Sequence, residues 1–291
     1  MRIVLLGASG QLGSHILPRL RQDYPQAEVV GCVRGEGFPE VSDALHLLQF
    51  NPFQDDWATL GQVDVLINCI GIIRESAALD FEEAHVGLTR RMLQHRELIG
   101  SPRLIQLSAL GADENSPSRF LRTKGLADKE LLRHPDTVVL RPSIVCTPGT
   151  MLSRKLQQLQ KLCRLTGGIL PFPARMLETK LQPVAVEDLT ELVSRLCVIA
   201  DKPDVVEVGG KEVYTLNQLL LLIPTCRKII SFPQAGFNTL FPVLSWLFPS
   251  LLDREQLVLL QQDNVAHTDR SEMLLGKKMA STIAFWVAEL A

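Results

Sequence analysis

The chain has 291 residues, enough for one large α/β domain or a domain with a smaller lobe. Apolar residues make up 46%, so a sizeable core can be buried. The net charge of −2 is spread along the chain, which argues against a general nucleic-acid binder.

The opening "MRIVLLGASG" has one arginine and a short apolar run. The run breaks into glycines too early for a signal peptide and reads as a first β-strand. Residues 11–22 read as a helix, with a kink expected at Pro18, whose ring nitrogen carries no hydrogen to donate. "AEVVGCVR" and "LHLLQF" are the second and third strands, and "VDVLINCIG" the fourth. A helix is predicted over 81–98, a fifth strand at "RLIQLSALG", a helix over 120–133 and a sixth strand at "TVVLRPSIV". Continuous apolar strands separated by helices imply a parallel sheet covered on both faces.

After Gly149 the rhythm changes. "RKLQQLQKLCRL" is amphipathic and helical, and "KLQPVAVEDLTELVSRL" reads as a short strand followed by a helix. "DVVEVGG" returns to the strand pattern, and "YTLNQLLLLI" reads as a helix capped by Thr215. The pattern is a Rossmann-type doubly wound sheet with a small, mostly helical C-terminal lobe. Residues 1–150 form the core, completed by about 183–224. Residues 151–182 and 225–291 form the lobe over the substrate cleft.

The turn "VLLGASGQLGSH" places Gly7, Gly10 and Gly13 between a strand and a helix. The first permits the tight turn, the second a close pyrophosphate, and the third close helix packing, with the helix N-terminus supplying donors. Gly7, Ser9, Gly10, Gln11, Leu12 and Gly13 are therefore candidate dinucleotide ligands. The second strand ends in Arg34 rather than a carboxylate, which suits a 2′-phosphate and favours NADPH over NADH. Glu36 lies just beyond and keeps NAD open. Ligands bind outside the carboxyl ends of parallel strands. This adds Asn51, Asn68, Cys69, Ile70, Gly71, Leu107, Ser108, Pro142, Ser143 and Ile144 to the pocket.

The segment "SRFLRTKG" sets Phe120 four residues before Lys124. These residues, with "GASGQLG", "NCIG", "SALGA", "LRPSIV", "LQPVAVEDL" and "VVEVGG", resemble the extended short-chain dehydrogenase/reductases, in atypical form. In active members of that family a tyrosine stands where Phe120 does. It transfers the proton, the lysine lowers its pKa and holds the nicotinamide ribose, and the strand-five serine positions the substrate oxygen. The resemblance therefore makes Lys124 and Ser108 the catalytic candidates and leaves Phe120 without a proton to give. Ser118 and Thr123 are poor acids unaided, Glu75 reads as a loop carboxylate, and His85 as either titrating near neutrality or hydrogen-bonded beneath the site. "EAHVGLTRRML", with His85, and "REQLVLLQQDNV" are similar to the nucleotide-binding accessory subunit of respiratory complex I and its bacterial relatives. That branch implies tight NADPH binding without an established reaction.

Three functional classes stay open: a nucleotide-binding, sensing or assembly protein; an NADPH-dependent oxidoreductase for an enone- or quinone-like substrate; and a scaffold touching a protein partner or a membrane surface. Uncharged residues 236–252 carry four aromatics for the last of these, or they roof the cleft. Their two prolines preclude one spanning helix, and no stretch approaches the ~20 apolar residues of a membrane span. Asp253 is a candidate cap for the helix that follows. The six cysteines and six histidines show no metal-ligand spacing, so no metal is expected. The cysteines read as reduced thiols of a cytoplasmic protein, with the periphery of the inner membrane kept as a second location.

Overall fold

The computed structural model describes residues 1–34, 47–233 and 254–290. The expectations at Glu36, 236–252 and Asp253 lie outside them. In chain order the first half holds β1 (Arg2–Leu6), α1 (Gly13–Asp23), β2 (Glu28–Val33), β3 (Leu47–Gln49), β4 (Val65–Asn68), α2 (Leu88–Gln94), β5 (Arg103–Leu107), α3 (Arg119–Leu131) and β6 (Thr137–Pro142). There follow β7 (Val145–Cys146), α4 (Met151–Leu165), β8 (Ile169–Pro173), α5 (Ala174–Leu177), β9 (Lys180–Leu181), β10 (Val184–Ala185), α6 (Val186–Leu196) and β11 (Val205–Val208). The last elements are β12 (Tyr214–Thr215), α7 (Leu216–Leu221), β13 (Lys228–Phe232), α8 (Arg254–Leu259), α9 (Asp269–Leu275) and α10 (Ile283–Leu290).

Two compact units result. The first comprises Met1–Pro142, Val186–Glu207 and Asp269–Lys277. Its seven-stranded sheet has the order β3-β2-β1-β4-β5-β6-β11, and the register between β1 and its neighbours is parallel. The strand order reverses between β1 and β4, which creates the switch point where this class of sheet takes its ligands. Strand alternation sends side chains to both faces. Val4, Leu6, Val30, Leu66 and Leu104 pack with Leu88 and Met92 of α2 and Leu131 of α3. Gly31, one residue along from Val30, faces the other way: a Cβ there would sit 2.8 Å from Leu17 of α1. On that side α1 meets α6, where the Tyr24 hydroxyl donates to the Ser194 carbonyl at 2.6 Å.

Two expectations need correction here. The helix predicted over 81–98 is a π-type turn, Glu82–Gly87, running into α2, which stops at Gln94. His95 ends it, because its Nδ1–H donates to the Arg91 carbonyl at 2.9 Å and its ring stacks on Trp57. The predicted sixth strand also divides. Pro142 closes β6, and β7 pairs with β10 instead.

The second unit comprises Ser143–Ala185, Val208–Thr268 and Lys278–Ala291. Among the described residues it holds three two-stranded ladders, β7–β10, β9–β12 and β8–β13. Leu156, Leu170, Met176, Leu219 and Trp286 form its apolar centre. Thr215 caps α7 as its position before "LNQL" predicts, and Gln218 completes a reciprocal capping box.

Candidate functional site

The site is built at the β1/β4 switch point of the first unit. Gly7 has φ +79°, a conformation that side-chain-bearing residues rarely adopt. A Cβ on it would come within 2.9 Å of Ile70 Cγ1, so the turn after β1 and the end of β4 are in close approach. A Cβ on Gly13 would lie 2.2 Å from the Gly7 carbonyl oxygen and 2.8 Å from Ala8 Cα. Gly13 thus lets α1 start directly against the turn. Ser9, Gly10 and Gln11 are exposed between them, Leu12 is half-buried, and the Gly10 N–H donates to the Gly7 carbonyl at 2.9 Å. No side chain caps α1, and no acidic side chain lies in its first turn. Such a helix start suits an anion. Arg34 follows β2 immediately and is exposed.

The end of β4 is fixed by a polar relay. Asn68 Nδ2 donates to Gln106 Oε1 at 2.9 Å, and its Oδ1 accepts the Ile70 N–H at 2.9 Å. Gln106 in turn donates to the Leu107 carbonyl at 3.1 Å. The same carbonyl accepts Lys124 Nζ at 3.0 Å. Asn68 therefore aims the strand ends rather than offering its amide outward. Lys124 is 4% exposed, and desolvation lowers its pKa to about 8. A Cβ on Gly71 would stand 2.9 Å from Lys124 Nζ and 3.8 Å from His85 Nε2. Gly71, Lys124 and His85 therefore meet at one point. Cys69 beside them is half-buried, and burial pushes its thiol up to about 12.

His85 is the pivot of this corner. Its Nε2 accepts the Ile72 N–H at 3.4 Å, and Nδ1 lies 2.8 Å from Thr123 Oγ1. The first bond assigns the proton to Nδ1. Thr123 accepts it and passes its own hydroxyl hydrogen to the Arg119 or Phe120 carbonyl. Burial, with Lys124 nearby, lowers the His85 pKa to about 2. Of the two readings its sequence position left open, the geometry fits the hydrogen-bonded one. Its ring meets Phe120 edge-on at 5.6 Å and stacks on Phe81 at 5.8 Å. Phe120 also meets Phe81 edge-on at 5.9 Å. Glu75 bonds the Phe81 N–H at 3.0 Å and pairs with Arg119 at 2.7 Å, so it ties the loop after β4 to α3. The Ser118 hydroxyl accepts the Leu121 N–H and caps α3.

Ser108 is 8% exposed and donates to Asp128 Oδ2 at 2.8 Å. Arg141 pairs with the same oxygen at 2.9 Å. Burial raises the Asp128 pKa against both partners, and its buried Oδ1 has no hydrogen-bond partner among the described residues. Neither Asp128 nor Arg141 is suggested by the strand-end rule. The available signal was the spacing, since Asp128 follows Lys124 by one helical turn and must share its buried face. Asn51 Oδ1 accepts the Phe53 N–H at 3.2 Å. Pro142 offers its carbonyl to the Leu110 N–H at 2.9 Å. Ser143 and Ile144 fall in the second unit, where the Ser143 hydroxyl donates to Asn264 Oδ1 and the Ile144 carbonyl accepts the Val184 N–H. Among the described residues no cluster of His, Cys, Asp and Glu could hold a metal.

Residues 3–124 match the NAD dependent epimerase/dehydratase family. Curated relatives include NADH dehydrogenase [ubiquinone] 1 alpha subcomplex subunit 9, mitochondrial, of Arabidopsis thaliana, 32% identical over 74% of this chain and 55% of that protein. The Mus musculus protein of the same name is 31% identical over 63% and 47%. The chain spans about half the length of these curated relatives. Among solved structures, a Staphylococcus aureus nucleoside-diphosphate-sugar epimerase superposes with TM-score 0.71 at 15% identity, covering 99% of this chain and all of that one. dTDP-glucose 4,6-dehydratase of Bacillus anthracis, solved with NAD, gives 0.68 at 16%, covering 100% and 95%. The resemblance read from the residues is borne out: the chain is similar to the extended short-chain dehydrogenase/reductases and to the complex I subunit 9 proteins, and its fold is Rossmann-type α/β. The cytoplasmic expectation is corrected, because the subunit 9 relatives are mitochondrial proteins. Among the described residues no helix is long and apolar enough to cross a membrane.

Proposed function

We propose that this chain binds a nicotinamide dinucleotide and serves as an accessory, sensing or assembly protein for a respiratory complex, with little or no carbonyl reduction of its own. The observation that carries this reading is Lys124 Nζ and His85 meeting at Gly71 beyond the end of β4, with the His85 ring edge-on to Phe120. An ammonium there can hold ribose hydroxyls, and the open N-terminus of α1 can take the pyrophosphate. When bound, the cofactor would supply or accept a hydride. The Phe120 ring, in the place of the family's tyrosine, has no proton to exchange with a carbonyl substrate. Similarity to the subunit 9 proteins supports the respiratory role and points to the mitochondrion.

NADPH is favoured over NADH because exposed Arg34 directly follows β2, where a 2′-phosphate would lie. The test is mass spectrometry and absorbance of the protein as purified, followed by titration of each cofactor into Arg34→Ala. Retained NADPH, with loss of NADPH affinity far exceeding loss of NADH affinity, is expected. Equal losses would remove the phosphate assignment, and absence of affinity for either nucleotide would overturn the reading. A panel of ketones, enones and quinones separates binding from enzymatic function: substrate-dependent NADPH oxidation within minutes would favour an oxidoreductase working without a tyrosine acid.

A further inference from the structure

All six cysteines are free thiols. Two of them, 63 positions apart in sequence, face each other in the second unit: the Cys163 and Cys226 side chains are in hydrogen-bonding contact. Their backbones are held together from both sides. The turn after α4 folds back through Gly167 (φ +66°) and Gly168 (φ +91°), and the Gly168 N–H donates to the Cys163 carbonyl at 2.7 Å. The Gly168 carbonyl then accepts the N–H groups of Arg227 and Lys228 at 2.8 and 3.1 Å. On the other side the Thr225 hydroxyl donates to the Gln160 carbonyl at 3.1 Å. The parallel ladder of β8 and β13 continues from this clasp, starting with Ile169 opposite Lys228.

We propose that Cys163 and Cys226 are a latent disulfide, closed by peroxide. Disulfide formation needs opposed Cβ atoms on backbones already near their final separation, and the clasp supplies that arrangement. The two thiols differ in access. Cys163 is fully buried, whereas Cys226 is 9% exposed and is followed by exposed Arg227 and Lys228. Peroxide can reach Cys226 and not Cys163, so Cys226 reacts first. Its sulfur attacks hydrogen peroxide, an S–O bond forms, the O–O bond breaks, and water leaves. Cys163 sulfur then attacks the sulfur of that sulfenic acid, the S–S bond forms, the S–O bond breaks, and a second water leaves. Two thiols lose two electrons and two protons, and one peroxide becomes two waters. Burial pushes Cys163 up to about 11, which suits it to the second, intramolecular step rather than to attack on a dilute oxidant.

The test treats the full chain with stoichiometric hydrogen peroxide, alkylates the remaining thiols and maps the peptides by mass spectrometry. The expected product keeps four alkylatable cysteines, with one dithiothreitol-sensitive crosslink joining the peptides of 163 and 226. Closing a loop of this length should also raise the melting midpoint by about 5–10 °C, reversibly. C163S and C226S should each lose the crosslink, while C32S should keep it. Six alkylated cysteines, sulfinic acid at Cys226 with Cys163 still alkylated, or a crosslink elsewhere would each overturn the proposal. The wild-type peptide map decides alone if a serine variant fails to fold.

Discussion

The ammonium of Lys124 lies 2.9 Å from the place a Cβ would take at Gly71. Gly71 has no positive φ, so alanine is allowed by its backbone. It is the Lys124 head that must move, away from the end of β4. Gly71→Ala should therefore fold with an almost unchanged melting point and bind NADPH about tenfold more weakly or worse, the scale of one charged hydrogen bond. Calorimetric titration beside a thermal melt checks both halves. Unchanged affinity would remove Lys124 from the cofactor site.

The lowered pKa of Lys124, about 8, gives the same contact a pH signature. Above that value the amine is neutral in the folded protein, though not in the unfolded chain until about 10.4. Cofactor affinity should fall as pH rises from 7 to 9. Lys124→Arg, which stays charged, should show no such inflection, even where its absolute affinity is lower. Fluorescence titration of NADPH across that range distinguishes the two.

His85 gives a second pH prediction of opposite character. Its folded pKa is lowered from 6.5 to about 2 by burial and by Lys124. The unfolded chain therefore takes a proton below about pH 6.5 that the folded chain refuses. The stability of the neutral state is fully present above 6.5 and drains away as pH falls, by up to about 1.4 kcal/mol per unit. His85→Gln removes that proton uptake. Urea unfolding between pH 7 and 5 should show a steeper loss for the wild type than for the variant. Parallel slopes would mean that His85 is protonated in the fold.

The parts of this site that were legible in sequence are those set by chain direction. A buried strand, a glycine turn and a helix place Gly7, Gly10 and Gly13 without any tertiary knowledge, and strand ends place Asn68, Gly71 and Leu107 at one edge of the sheet. What each side chain does there was not legible. Strand ends make Asn68 and Asn51 candidate ligands, but do not reveal that their Oδ1 atoms accept the Ile70 and Phe53 N–H groups. The resemblance makes Ser108 a substrate-positioning hydroxyl, but does not reveal that its hydrogen goes to Asp128 in this fold. These bonds depend on which strand lies beside which, and that information is not local. The π-type turn at Glu82–Gly87 was missed for a related reason: its apolar spacing fits an α-helix, and the choice is made by His85 meeting Ile72 and Thr123.

The glycine turn separates binding from folding. A Cβ on Gly10 would sit 3.1 Å from the Gly7 carbonyl oxygen in an exposed turn, a contact that small shifts can relieve. Gly10→Ala should fold, lose at most about 1 kcal/mol of stability, and lose NADPH, since the added methyl occupies the pyrophosphate's approach. At Gly13 a Cβ would overlap the Gly7 carbonyl oxygen at 2.2 Å and Ala8 Cα at 2.8 Å, both backbone atoms that cannot rotate aside. Gly13→Ala should cost about 3 kcal/mol or more, as expected for a methyl forced into close-packed backbone. Chemical denaturation of both variants, with nucleotide titration of whichever folds, makes the comparison. If Gly10→Ala bound NADPH as tightly as the wild type, the pyrophosphate would have to lie away from this turn, and the placement of the cofactor at the β1/β4 switch point would fail with it.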